Sequence, residues 1–111
     1  MHEMAIVEDI VATVSRACAG QRVRRVVLEI GALAAVVPDA IAGCFEVAST
    51  LEPGGPLDGA KLDIVVVAGR GRCRSCGIEI ELSDPLGTCP CGLGLEWTAG
   101  TKLTIRELEV D

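Results

Sequence analysis

The sequence predicts an α+β fold: a small domain of two helices and a three-stranded sheet, interrupted before its last strand by a cysteine-rich insertion. Three observations predict it. Apolar residues recur at helical spacing in two segments and alternate with period two in three others. Four of the six cysteines and seven of the thirteen glycines crowd into residues 69–100. The first domain therefore comprises residues 1–68 with 101–111, and the insertion 69–100.

The first helix carries Met4, Val7, Val11, Val14 and Cys18 on one stripe, widened by Ile6, Ile10 and Ala17, with Glu8, Asp9, Ser15 and Arg16 opposite. Gly20 is its stop signal. A strand follows from Arg22 to Ile30, where Val26, Leu28 and Ile30 alternate with Arg25, Val27 and Glu29. Pro38, preset for a first helical turn, opens the second helix, with Ile41, Cys44, Phe45, Ala48 and Leu51 on its apolar stripe. Glu52-Pro53-Gly54-Gly55-Pro56 is a loop that permits strand exchange between chains, which leaves a homodimer open. Lys61–Val67 is the second strand and Lys102–Val110 the last. In that last strand the apolar phase slips between Ile105 and Leu108, and a bulge near Arg106-Glu107 reconciles the halves.

Composition excludes several functions. The net charge of −6 gives no basic face for nucleic acid, and Phe45 and Trp97 are the only aromatic residues for stacking bases. No apolar run approaches the ~20 residues of a membrane span. The amino-terminal stretch lacks the basic region of a targeting segment, so a cytoplasmic protein is expected. Cysteines in that compartment are metal ligands or buried thiols rather than disulfides. No nucleophile–base pair is recognisable, which points away from an enzyme.

Within the insertion, Cys73-Arg74-Ser75-Cys76-Gly77 and Cys89-Pro90-Cys91-Gly92 are separated by twelve residues. Two tight turns that aim paired thiolates at one ion are the layout of a zinc ribbon, and the following glycines permit the backbone reversals. The second pair is one residue shorter than usual, which tightens its turn. A closed four-sulfur site is structural, because no position is left for water. Iron uses similar ligands in rubredoxin-like sites, but their aromatic packing is absent, so zinc is favoured. Between the pairs, Ile78, Ile80 and Leu82 alternate as a strand, and Asp84-Pro85 marks a turn. Arg70, Arg72 and Arg74 are positioned in sequence to offset the thiolate charge. Cys18 and Cys44 lie on helix stripes and read as buried apolar residues.

The only His is His2. With a free Met1 amine, the amine nitrogen, the His2 amide nitrogen and the His2 imidazole form adjacent chelate rings, a near-planar nitrogen set suited to nickel or copper. Glu3 either joins that set or serves as an anion at the helix start.

Met1-His2-Glu3, Val27-Leu28-Glu29-Ile30-Gly31, Val37-Pro38-Asp39, Cys44-Phe45-Glu46, Leu57-Asp58-Gly59-Ala60 and the paired cysteines together resemble the HypA/HybF family of nickel metallochaperones for hydrogenase maturation. The resemblance runs from Met1 to the last strand. It implies Ni(II) bound through His2 with neighbouring Glu3, and Zn(II) held by Cys73, Cys76, Cys89 and Cys91. It further implies partnership with a HypB-type GTPase and with the large subunit of a nickel–iron hydrogenase; in some organisms such proteins also serve urease. The alternative from another class is a non-enzymatic zinc-ribbon scaffold of a transcription or processing complex, in which His2 has no role.

Overall fold

The computed structural model describes residues 2–92 and 94–111. Helix α1 (Glu3–Ala17) is followed by strand β1 (Val23–Gly31), helix α2 (Pro38–Ser49), and strands β2 (Lys61–Val67), β3 (Gly69–Cys73), β4 (Glu79–Leu82), β5 (Leu95–Ala99) and β6 (Leu103–Val110). They form two three-stranded sheets, ordered β2-β1-β6 and β4-β3-β5. This is the expected α+β architecture.

Contacts divide the chain into two compact units, one of Met1–Leu28, Val36–Ile64 and Ile105–Asp111, the other of Glu29–Ala35 and Val65–Thr104. In the first, Val7, Ile10 and Val14 on α1, Val23, Val26 and Leu28 on β1, and Ile41 and Phe45 on α2 are buried. Helix α1 ends where expected: the Cys18 N–H bonds back to the Val14 carbonyl, and Gly20 takes a φ of +83°, a conformation that costs glycine nothing. Helix α2 begins at Pro38 and ends at Ser49, with the Thr50 hydroxyl donating to the carbonyls of Glu46 and Val47. The helix thus stops short of Leu51, which is 74% exposed rather than part of the apolar stripe. The far end of the α1 stripe also departs from expectation, since Met4 in the first turn is exposed.

Strands β1 and β2 run parallel: the Ala32 N–H, just past the end of β1, donates to the carbonyl of Val67, where β2 ends. Parallel neighbours need a crossover, and α2 provides it. Strand β6 is antiparallel to β1, with the Gly31 N–H on the Lys102 carbonyl at one end and the Asp111 N–H on the Arg22 carbonyl at the other. In β6, Leu103 and Ile105 are half-buried, Arg106 and Glu107 are both exposed, and Leu108 is half-buried. The burial phase changes at the position where the sequence pattern slips.

In the second unit, β3 is the central strand of an antiparallel sheet. Register places Gly71 opposite Ile80 and Trp97, Gly69 opposite Leu82, and Cys73 opposite Leu95, all on one face. A Cβ on Gly71 would lie 3.0 Å from Leu95 Cβ and 3.1 Å from Leu82 Cδ1, so glycine lets those leucines close over the strand. Segment Gly31–Leu33 clasps the base of this sheet. Its Ala32 N–H reaches Val67, its Leu33 N–H reaches the Gly100 carbonyl at 2.8 Å, and a Cβ on Gly31 would sit 2.1 Å from Gly100 O.

Candidate metal centre

Cys73 closes β3, and the turn that follows is tied by the Gly77 N–H to the Cys73 carbonyl (2.8 Å) and by the Cys73 N–H to the Ile78 carbonyl (3.0 Å). Gly77 has a φ of +73°, which permits the reversal. The Cys76 N–H points at Cys73 Sγ, 3.3 Å away. In the second turn the Gly92 N–H bonds the Cys89 carbonyl at 2.8 Å, with Gly92 at φ +89°. Shortening by one residue has not displaced the thiols. Cys73 Sγ and Cys91 Sγ are 3.6 Å apart, Cys76 Sγ and Cys89 Sγ 3.9 Å, and all four sulfurs lie within 4.8 Å of one another. A tetrahedron with metal–sulfur bonds of about 2.3 Å has edges of about 3.8 Å, so the donor set is spaced for one ion. Among the described residues it is the one group of three or more ligand side chains gathered this way.

The electrostatics fit such a role. The Cys73 thiol is lowered to about 7, first by the Cys76 amide and also by the Ser75 amide. Cys76 is pushed up to about 12, chiefly by its sulfur neighbours Cys91, Cys89 and Cys73, which hold its proton. A metal ion takes the place of thiol protons when cysteine sulfurs ligate it. Four soft donors in a closed set suit a thiophilic ion and leave no position for a catalytic water.

The arginines of the ribbon act differently from the sequence expectation. Arg70 pairs with Glu79 at 2.7 Å and Arg74 with Glu96 at 3.0 Å, while Arg72 stands 3.8 Å from Glu79. The cause is strand alternation: Arg70 and Arg72 project from the face opposite Cys73, where register sets them beside Glu81, Glu79 and Glu96. Their partners were legible as glutamates, but only the pairing of β3 with β4 and β5 brings them within reach.

At the other candidate site, His2 precedes α1 and is exposed, with its carbonyl accepting the Ile6 N–H at 3.0 Å. Its side chain caps no helix N–H. Glu3 is the first residue of α1 and half-buried. Met1, the remaining member of the expected chelate, lies outside the described residues. Of the two remaining thiols, Cys18 is buried and bonds the Ser15 carbonyl, and Cys44 is half-buried on α2.

Four thiols gathered on a small sheet define a protein with a site that could hold a metal ion. The family model described as "Hydrogenase/urease nickel incorporation, metallochaperone, hypA" matches residues 1–110. The chain belongs to this HypA family, whose members are metallochaperones and not enzymes. It is 46% identical over 112 residues to the hydrogenase maturation factor HypA of Trichormus variabilis, covering 100% of this chain and 96% of that one. With the HypA of Geotalea uraniireducens it shares 45% identity over 113 residues, the whole of both chains. The solution structure of the nickel metallochaperone HypA from Helicobacter pylori has the same fold, with a TM-score of 0.67 at 23% identity over 99% of this chain and 97% of that one. Among the described residues no helix is long and apolar enough to cross a membrane.

Proposed function

We propose that this protein binds Ni(II) as cargo through the Met1 amine and His2, with Glu3 as neighbouring ligand, and delivers it to the large subunit of a nickel–iron hydrogenase, with urease as a further client. Cys73, Cys76, Cys89 and Cys91 would hold a structural Zn(II) that folds the ribbon. The division of labour is a nickel-binding domain of residues 1–68 with 101–111 and a zinc-ribbon domain of residues 69–100, working in the cytoplasm with a HypB-type GTPase.

The observation that carries this reading is the exposure of His2 at the head of α1, with a side chain that caps no helix N–H, in a chain matched end to end by a nickel-incorporation family. A delivery site must be reachable by the acceptor's ligands, and a terminal chelate is. A buried cage would hold its ion against transfer.

The test is nickel titration by calorimetry on zinc-loaded protein with its native amino terminus, beside a Gly-Ser extension before Met1 and a His2→Ala variant. Tight binding by the native protein alone supports the terminal chelate. Equal binding by all three, or binding by none, overturns it.

A further inference from the structure

Strand β2 is an outermost strand of its sheet, with β1 on one side only. It runs for seven residues without a proline, and none of them is buried. The Val67 carbonyl turns toward β1 to accept the Ala32 N–H, so strand alternation turns the N–H and C=O groups of Leu62 and Ile64 outward. Such an edge is a template for another strand. Beside it, within the first compact unit, a groove of about 310 Å³ separates the strand from α2. Ala42, Phe45, Glu46 and Ser49, spaced i, i+3, i+4 and i+7 on the helix, form one wall, and Ala60 and Leu62 form the other. Phe45 is buried at the floor and Glu46 is exposed.

The charge of this groove is one-sided. Between residues 36 and 60 the only charged side chains are Asp39, Glu46, Glu52 and Asp58, all acidic. Arg22 reaches the loop end, where its guanidinium donates to the Asp58 carbonyl at 2.8 Å. Lys61 alternates with Leu62 and so projects from the opposite face of β2, as does Asp63, which pairs with Arg25 at 3.0 Å. Edge pairing with a second copy of the chain would set one Glu46 wall against another, and like charges oppose that. From the open edge, the apolar floor and the acidic wall we infer that β2 and α2 form a docking groove for an extended segment of a partner protein. That segment carries an apolar residue and a lysine or arginine two positions apart, on one face. It adds a strand to β2, its apolar side chain enters over Phe45, and its cation meets Glu46. The inference goes beyond the nickel reading and stands whether or not His2 binds nickel.

The experiment titrates the isotope-labelled full chain with a capped peptide that repeats valine, threonine, lysine, threonine, and follows backbone amide shifts by NMR. A control peptide carries glutamate in place of lysine. Shift changes are expected at Leu62, Ile64 and residues 42–50. The glutamate peptide should bind about fivefold more weakly, the scale of exchanging one exposed ion pair for a repulsion. Glu46→Lys should reverse that preference; a cation near the carboxyl end of α2 suits the helix dipole, so the fold is kept. No shift change at millimolar peptide, changes centred elsewhere, equal affinity for the two peptides, or an unreversed preference in Glu46→Lys each overturn the inference. Protection of β2 amides that grows with protein concentration in the absence of peptide assigns the edge to a second copy, and overturns it as well.

Discussion

Glycines at positions 31 and 43 make opposite demands on a methyl group. A Cβ on Gly31 would meet the Gly100 carbonyl oxygen at 2.1 Å, and backbone cannot step aside as a side-chain end can. Gly31→Ala is therefore expected to destabilise by at least the ~1–3 kcal/mol of ordinary overpacking. A Cβ on Gly43, in the interior of α2, would meet nothing within 4 Å. Gly43→Ala should stabilise by about 0.5–1 kcal/mol, because alanine loses less backbone entropy in a helix. Thermal melts of the two variants check both signs, and a shift in the same direction would refute the argument. The glycine of Leu28-Glu29-Ile30-Gly31 was legible in the sequence as a strand end. Its close approach to Gly100 was not, since 69 positions separate the two.

The elements differ in how openly their sequences declare them. Strand β2 matches the alternating segment Lys61–Val67 end to end, and α2 starts at the proline that announces it. Strands β3 and β5 carry no such declaration in their sequences. In Gly69-Arg70-Gly71-Arg72-Cys73 the inward positions are mostly glycine, and an alternation of glycine with arginine carries no apolar signal. The inward side is apolar only because Leu82 and Leu95 reach over from the neighbouring strands. On the outward side, the Arg70 guanidinium holds the Glu79 carboxyl below its ordinary value. A lowered carboxyl contributes stability that is fully present above the ordinary glutamate range, near pH 4.3, and lost as pH falls through the lowered value. Acid titration of the ribbon should show this loss in the native chain and less of it in Arg70→Ala; identical acid profiles would count against the pair. In the other unit, Ile41 is fully buried on α2, and Ile41→Ala should cost about 2–5 kcal/mol in denaturant unfolding.

Taken whole, the molecule offers a direct readout of what the ion does. Among the described residues of the ribbon, the buried apolar side chains are Cys73, Leu82 and Cys89, and so small a core needs a cross-link. Removing metal with a chelator is expected to change the fluorescence of Trp97, the only tryptophan, which lies on β5 and is 45% exposed. The helical circular dichroism of α1 and α2, which belong to the other compact unit, should persist. Simultaneous loss of both signals would show that the ion supports the whole fold.

Local chemistry determined what could be read from the chain alone: periodicity marked both helices and the strands of the first sheet, Pro38 and Gly20 set helix limits, and the cysteine spacing announced a metal centre. These signals lie within a few residues of one another, where backbone geometry dictates the outcome. Tertiary structure alone decided that Arg70, Arg72 and Arg74 answer glutamates instead of thiolates, that Gly31 must admit Gly100, and that the short second turn still brings Cys91 to 3.6 Å from Cys73. Each of these depends on which strand lies beside which, and long-range pairing is set by the sum of burial and hydrogen bonding over the whole unit, which no single segment carries.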